Sequence, residues 1–207
     1  MDPPTTRIAI TGHSFVSRLD NFIQRRTSTA SGRAVCPDFW LANVDINFHG
    51  VPRCSIPKYY NSVLPILRET CPHIVYVELA HNDICRPYMH PDKIAHDLVA
   101  LSGRISNIPS VSVVVVAEPL WRLKPPRGMP NFHDRIDDFR RVLRPLVDAT
   151  PSVHRWYHKE LWQKNPNYFV KDGLHLSELG NLEFYRSIRG ALIPHLPSRL
   201  NRTIHNI

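Results

Sequence analysis

Five short runs of β-branched and apolar residues punctuate the chain: Arg7 to Thr11, Val44 to Phe48, His73 to Leu79, Ser112 to Glu118 and Val153 to Tyr157. Their length and composition are those of strands. Between and after them, near Phe15 to Arg26, Tyr59 to Glu69, Pro91 to Ser106, Phe132 to Asp148 and Glu178 to Leu192, apolar residues recur every three or four positions. That period predicts amphipathic helices. Alternation of the two patterns predicts an α/β protein, a three-layer α/β/α sandwich whose mostly parallel five-stranded sheet is covered on both faces. Ligands of such sheets bind beyond the carboxyl ends of the strands.

The 207 residues suffice for one well-buried core, and no shift in composition marks a second domain. The reading is a domain over 1–193 followed by a polar, basic tail over 194–207. Pro-rich stretches at Leu123 to Pro130 and Pro194 to Pro197 read as irregular connections. No charged and apolar leader precedes the first strand and no apolar run approaches membrane-spanning length, which predicts an intracellular, cytoplasmic protein. Cys36, Cys54, Cys71 and Cys85 lack the close pairing of zinc sites and are read as reduced and structural.

Chemistry concentrates at three places. Gly12-His13-Ser14 closes the first apolar run, Ala80-His81-Asn82-Asp83 follows the third, and Lys171-Asp172-Gly173-Leu174-His175 lies before the last helix. An acid three residues ahead of a histidine can orient its imidazole from within one turn, and Ser14 can then serve as a nucleophile brought in by tertiary folding. Asn82 supplies an amide donor suited to an oxyanion. Taken singly, Ser14 reads as a helix N-cap, Asn82-Asp83 as an Asx-type turn and Asp172-Gly173 as a tight turn. Their joint placement at strand ends favours a site.

These residues resemble the SGNH hydrolase superfamily, the GDSL-type esterases and lipases, of a kind also found as domains in animal retroelements. Gly12-His13-Ser14 looks like the family's first block, the stretch around Gly50 its second, Ala80-His81-Asn82-Asp83 its third and Asp172-Gly173-Leu174-His175 its last. The resemblance implies an SGNH or flavodoxin-like sheet and a serine esterase of small carboxylic esters working through an acyl-enzyme, with no cofactor and no metal. Ser14 is then the nucleophile, His175 the base and Asp172 its orienting acid. The Ser14 N–H, the Asn82 amide and an N–H from either Gly50 or Arg53 form the oxyanion hole.

Two departures from the family pattern matter. His13 stands where the family usually has an acid, and Gly50-Val51-Pro52-Arg53 has an arginine where a donor glycine is usual. The second departure motivates an alternative, a catalytically impaired ligand-binding domain. His13, His49 and His81 all fall at strand ends and are candidate substrate contacts; their spacing gives no zinc signature. The chain carries 26 Lys and Arg against 18 Asp and Glu, a net charge of +8. That excess opens a further alternative, an accessory domain of a nucleic-acid-associated polyprotein, with Arg25, Arg26, Arg33, Arg140, Arg141, Arg144, Arg199 and Arg202 as candidate phosphate contacts. No long basic run or aromatic-interleaved motif accompanies it, so a solvated basic surface is the favoured reading.

Overall fold

A computed structural model describes residues 4–27, 35–162 and 165–197. Strands β1 (Thr6–Gly12), β2 (Val44–Gly50), β3 (Ile74–Glu78), β4 (Val113–Ala117) and β5 (Val153–Trp156) form one sheet in the order β2-β1-β3-β4-β5. All pairings are parallel, so the sheet is wholly rather than mostly parallel. The alternation of side chains along a strand sorts the core into two layers. Ile8, Ile10, Ile74, Tyr76 and Val115 face α1 (Ser14–Thr27) and α7 (Glu178–Leu192), meeting Phe15, Leu19, Phe184 and Ile188. Ala9, Val75, Val77, Val114 and Val116 face the opposite layer.

That second layer holds α2 (Ile56–Ser62), α3 (Leu64–Thr70), α5 (Pro91–Ser106) and α6 (Phe132–Asp148), which bring in Tyr59, Leu67, Leu98 and Phe139. The single helix expected over Tyr59 to Glu69 is therefore two. The break falls at Val63, because Pro65 in the first turn of α3 has no N–H to continue the ladder of α2. A short helix, α4 (His81–Ile84), follows β3. At the other end of the chain Leu196 is buried against the α7 layer, so ordered packing continues past residue 193.

From β1 the chain crosses to β2 on one side, and β3 lies on the other side of β1. The carboxyl ends of β1 and β3 thus border the switch point at which a crevice opens in such sheets. Gly12 and Glu78 pair there, and the segments containing Ser14 and Asn82 leave from it.

Candidate active site

The turn before α7 is built by Asp172. Its Oδ1 accepts hydrogen bonds from the Leu174 N–H at 2.8 Å and the His175 N–H at 2.9 Å, and its Oδ2 lies 2.6 Å from His175 Nδ1. Gly173 permits the turn by taking φ +67°, with the Lys124 side chain lying across it. Burial pulls the Asp172 carboxyl up, but the His175 ring and the two backbone N–H groups outweigh it and hold the group at about 2. The carboxylate is therefore ionised at neutral pH and assigns the ring proton to Nδ1, leaving Nε2 with its lone pair.

Ser14 is positioned by the end of β1. Gly12 adopts φ +150°, and a Cβ there would lie 2.1 Å from the Glu78 carbonyl oxygen, so only glycine lets β1 approach β3 this closely. The His13 N–H donates to that same carbonyl at 3.2 Å, and the chain turns directly into α1 with Ser14 half-buried in its first turn. The N–H groups of a first turn have no acceptor within their own helix. His175 comes to this point across 160 residues of sequence. Its ring centroid is 6.3 Å from that of Phe15, the residue that follows Ser14 in α1.

The loop after β2 and the α4 turn are tied together. Asn82 Nδ2 donates to the Cys54 carbonyl at 2.8 Å, and the Asp83 carboxylate accepts the Ile56 N–H at 3.1 Å. Burial raises the Asp83 carboxyl to about 6 despite that bond. Gly50 and Arg53, the two candidate donors of the loop, have different surroundings. A Cβ on Gly50 would lie 2.2 Å from the Ser17 nitrogen, which makes its hydrogen the contact surface for α1. Arg53 is exposed and sits at φ +54°, the left-handed conformation that a glycine adopts without strain. Ala80, where the resembled family has glycine, is likewise left-handed at φ +71°.

His13 and His81 are buried, with rings 5.7 Å apart, and they pack around Phe15 instead of lining open surface. Burial lowers His13 to about 4, Glu78 opposing and His175 reinforcing the shift, and drives His81 well below its ordinary range. Both are neutral at pH 7. His49 is half-buried at the end of β2 and is lowered by the same cause. Among the described residues no three metal-ligating side chains come together.

A polar network beneath the site was not read from the sequence. The Tyr76 hydroxyl donates to Glu78 Oε2 at 3.0 Å, His158 Nε2 lies 3.2 Å from the same oxygen, and His158 Nδ1 lies 2.8 Å from Ser187 Oγ. Its one signal was an acid ending an otherwise apolar run, Ile74-Val75-Tyr76-Val77-Glu78, in a strand expected to be buried on both faces.

The candidate phosphate-binding arginines within the described residues form ion pairs. Arg25 and Arg26 meet Glu178, Arg141 meets Asp138, and Arg140, Arg144 and Arg155 converge on the buried Glu118. Arg33, Arg199 and Arg202 lie outside the described residues. Nothing in this arrangement supports nucleic acid as a partner. No helix among the described residues is long and apolar enough to cross a membrane. An open groove of about 880 Å³ runs along α1 from Arg18 to Arg25 and adjoins His175 through Leu176, but contains none of Ser14, Asp172 or His175.

No family model matches the chain, and no curated protein matches it. Solved structures do. A family 3 carbohydrate esterase from Clostridium thermocellum aligns over 95% of this chain and 99% of its own at 18% identity, with a TM-score of 0.69. The acetylxylan esterase Axe2 from Geobacillus stearothermophilus aligns over 93% and 96% at 15% identity, with a TM-score of 0.65. LAE5, an alpha/beta hydrolase from the metagenome of Lake Arreo, aligns over 92% and 96% at 14% identity, with a TM-score of 0.62. The chain has the fold of these proteins, over nearly the full length of each.

Proposed function

We propose that the protein is a serine esterase that hydrolyses small carboxylic esters through Ser14, His175 and Asp172. The observation that carries the reading is the 2.6 Å Asp172 to His175 pair, delivered beside the first turn of α1 where Ser14 begins the helix. The esterases among the structural neighbours support it.

In the first half-reaction His175 Nε2 takes the Ser14 hydroxyl proton as Oγ bonds to the ester carbonyl carbon. The carbonyl oxygen becomes an oxyanion held by the N–H of Ser14, the Asn82 amide and a loop N–H. We assign the loop donor to Arg53, because Gly50 is engaged in packing on α1 whereas Arg53 holds the backbone conformation of a donor glycine. Asn82 spends one amide hydrogen on the Cys54 carbonyl, which fixes the orientation of the other. Collapse of the tetrahedral species breaks the ester C–O bond, and the alcohol leaves with the proton from His175. Water then gives a proton to His175 and attacks the acyl carbon, and the acid is released as Ser14 regains its hydrogen. Each oxyanion donor contributes about 2.7 to 4 kcal/mol to lowering such a barrier.

Reaction with a fluorophosphonate, followed by mapping of the modified residue, tests the reading directly. Labelling at Ser14 that is lost in Ser14→Ala and His175→Ala, together with turnover of p-nitrophenyl acetate by the wild type alone, is the expected result. An unlabelled Ser14, or equal turnover by wild type and Ser14→Ala, would overturn it.

A further inference from the structure

Arg122 lies in the connection after β4, wedged between the two halves of the site. Its neighbour Leu123 donates an N–H to the Gly173 carbonyl at 2.8 Å, in the turn that carries Asp172 and His175. Its guanidinium reaches the opposite way, to α4, where Nη1 lies 3.5 Å from Cys85 Sγ and the guanidinium carbon sits 5.4 Å above the Phe132 ring. That ring is 5.5 Å from His81, His81 is 5.8 Å from Phe15, and Phe15 is 6.3 Å from His175. The guanidinium therefore stands one aromatic ring, Phe132, away from His81, and His81 and Phe15 continue the contact to His175.

Its electrostatic situation differs from that of the paired arginines. No ion pair among the described residues includes Arg122, and its Nε is buried without a hydrogen-bond partner. Of the acids on the flanking segments, Asp83 accepts from the Ile56 N–H and Asp172 accepts from His175. A thiol and an aromatic face satisfy a guanidinium poorly, and a buried N–H left unmatched costs free energy. Nη2 makes no hydrogen bond among the described residues and is the donor left for a carboxylate, which a guanidinium binds with charge-assisted hydrogen bonds. Arg53 and Lys124, exposed on the flanking loops, add positive potential at the entrance.

We propose that Arg122 is the anion receptor of this site and that the preferred ester carries a negatively charged, carboxylate-sized group on its acyl or alcohol part. The proposal rests on the esterase reading and narrows its substrate class. Arg122 acts on which ester binds, while Ser14 and His175 perform the chemistry. Burial first, then His13 and then the Arg122 charge depress His81.

The test compares pairs of esters that differ only in charge. In the acyl arm these are p-nitrophenyl hemisuccinate and p-nitrophenyl butyrate; in the alcohol arm, the acetate esters of 4-hydroxybenzoate and of its methyl ester. The wild type is expected to favour the charged member, by kcat/KM, about tenfold or more in one arm. That preference should shrink with added salt, vanish in Arg122→Gln and be partly retained in Arg122→Lys. Using the ratio removes any general loss of folded protein. Identical ratios for wild type and Arg122→Gln in both arms, or a wild-type preference for the neutral ester, would overturn the proposal. A binding arm separates this outcome from failure of the esterase reading. In Ser14→Ala, monophenyl succinate should change the fluorescence of Trp121, which stacks on His133 beside Arg122, and the change should disappear in Ser14→Ala/Arg122→Gln. If no ester is turned over, the esterase reading falls and this titration still decides the role of Arg122: a saturable response lost with Arg122 supports it, and no response overturns it.

Discussion

Replacing Asp172 by Asn removes a charge while keeping the turn. Oδ1 can still accept from the Leu174 and His175 N–H groups, so the backbone loses nothing. What changes is the group facing His175 Nδ1, where an acceptor at 2.6 Å becomes an amide NH₂. The ring then accepts at Nδ1 and carries its proton on Nε2, the wrong tautomer for a base; recovering the right one forfeits a hydrogen bond, about 1 to 2 kcal/mol. The imidazolium formed during reaction also loses its counter-charge. At about 4 Å this attraction is about 1 kcal/mol in bulk water and about 4 kcal/mol at an effective permittivity near 20. The Asp172 side chain is 47% exposed, so a value near the middle, about 2 kcal/mol, applies. Together the two effects raise the barrier by about 3 to 4 kcal/mol, a fall in kcat of about 10²- to 10³-fold. That is milder than the loss of about 10⁴-fold typical of a fully buried triad acid. Steady-state hydrolysis of p-nitrophenyl acetate, with a thermal melt as control, measures it. A loss of less than about threefold in a protein with unchanged melting would show that Asp172 builds the turn and takes no part in the chemistry.

Two further outcomes follow from the loop and from the buried histidines. Arg53→Gly should leave kcat within about twofold, since the donor peptide already has the glycine conformation; a left-handed non-glycine costs about 1 to 2 kcal/mol and glycine's extra unfolded entropy returns about 0.5 to 1, so urea melts should show a gain of about 0.5 kcal/mol. A tenfold rise in kcat would mean that the arginine had displaced the donor. His13, held neutral down to about pH 4, binds its proton near pH 6.5 when the chain unfolds; stability is therefore complete above that value and falls as the pH drops through the window. From pH 7 to 5 the loss from His13 alone is about 2 kcal/mol, measurable as a urea midpoint shift that shrinks in His13→Gln; an equal shift in both proteins would refute the assignment.

The strands were readable because a parallel sheet covered on both faces leaves continuous apolar runs, and β1 to β5 fall within or close to the expected ones. Asp172 and His175 were equally accessible, since their contact is local and the spacing alone brings them together. Choosing between Gly50 and Arg53 was beyond the sequence, because the choice turns on one φ angle and on the approach of Ser17, which is set by packing. The split at Val63 was written in Pro65 and outweighed by the apolar period around it. Glu78, His158 and Ser187 meet over separations of 80 and 29 residues, for which no local pattern exists. The arginines left two readings open for a related reason: composition counts charges, and whether Arg140 and Arg144 are available depends on a glutamate at position 118 reached only by folding.

The proposed base and acid share a single four-residue turn closed by backbone N–H groups donating to the Asp172 carboxylate, while Ser14 begins the helix that follows the first strand. The pair can therefore drift as a unit without losing its internal geometry, and the only distance at risk is the one to Ser14. In such an arrangement inactivation and denaturation are separate events. On the proposed mechanism, modest heat or dilute denaturant that loosens the segment around Gly173 is expected to stop hydrolysis while the five strands stay paired, and cooling to restore it without refolding of the core.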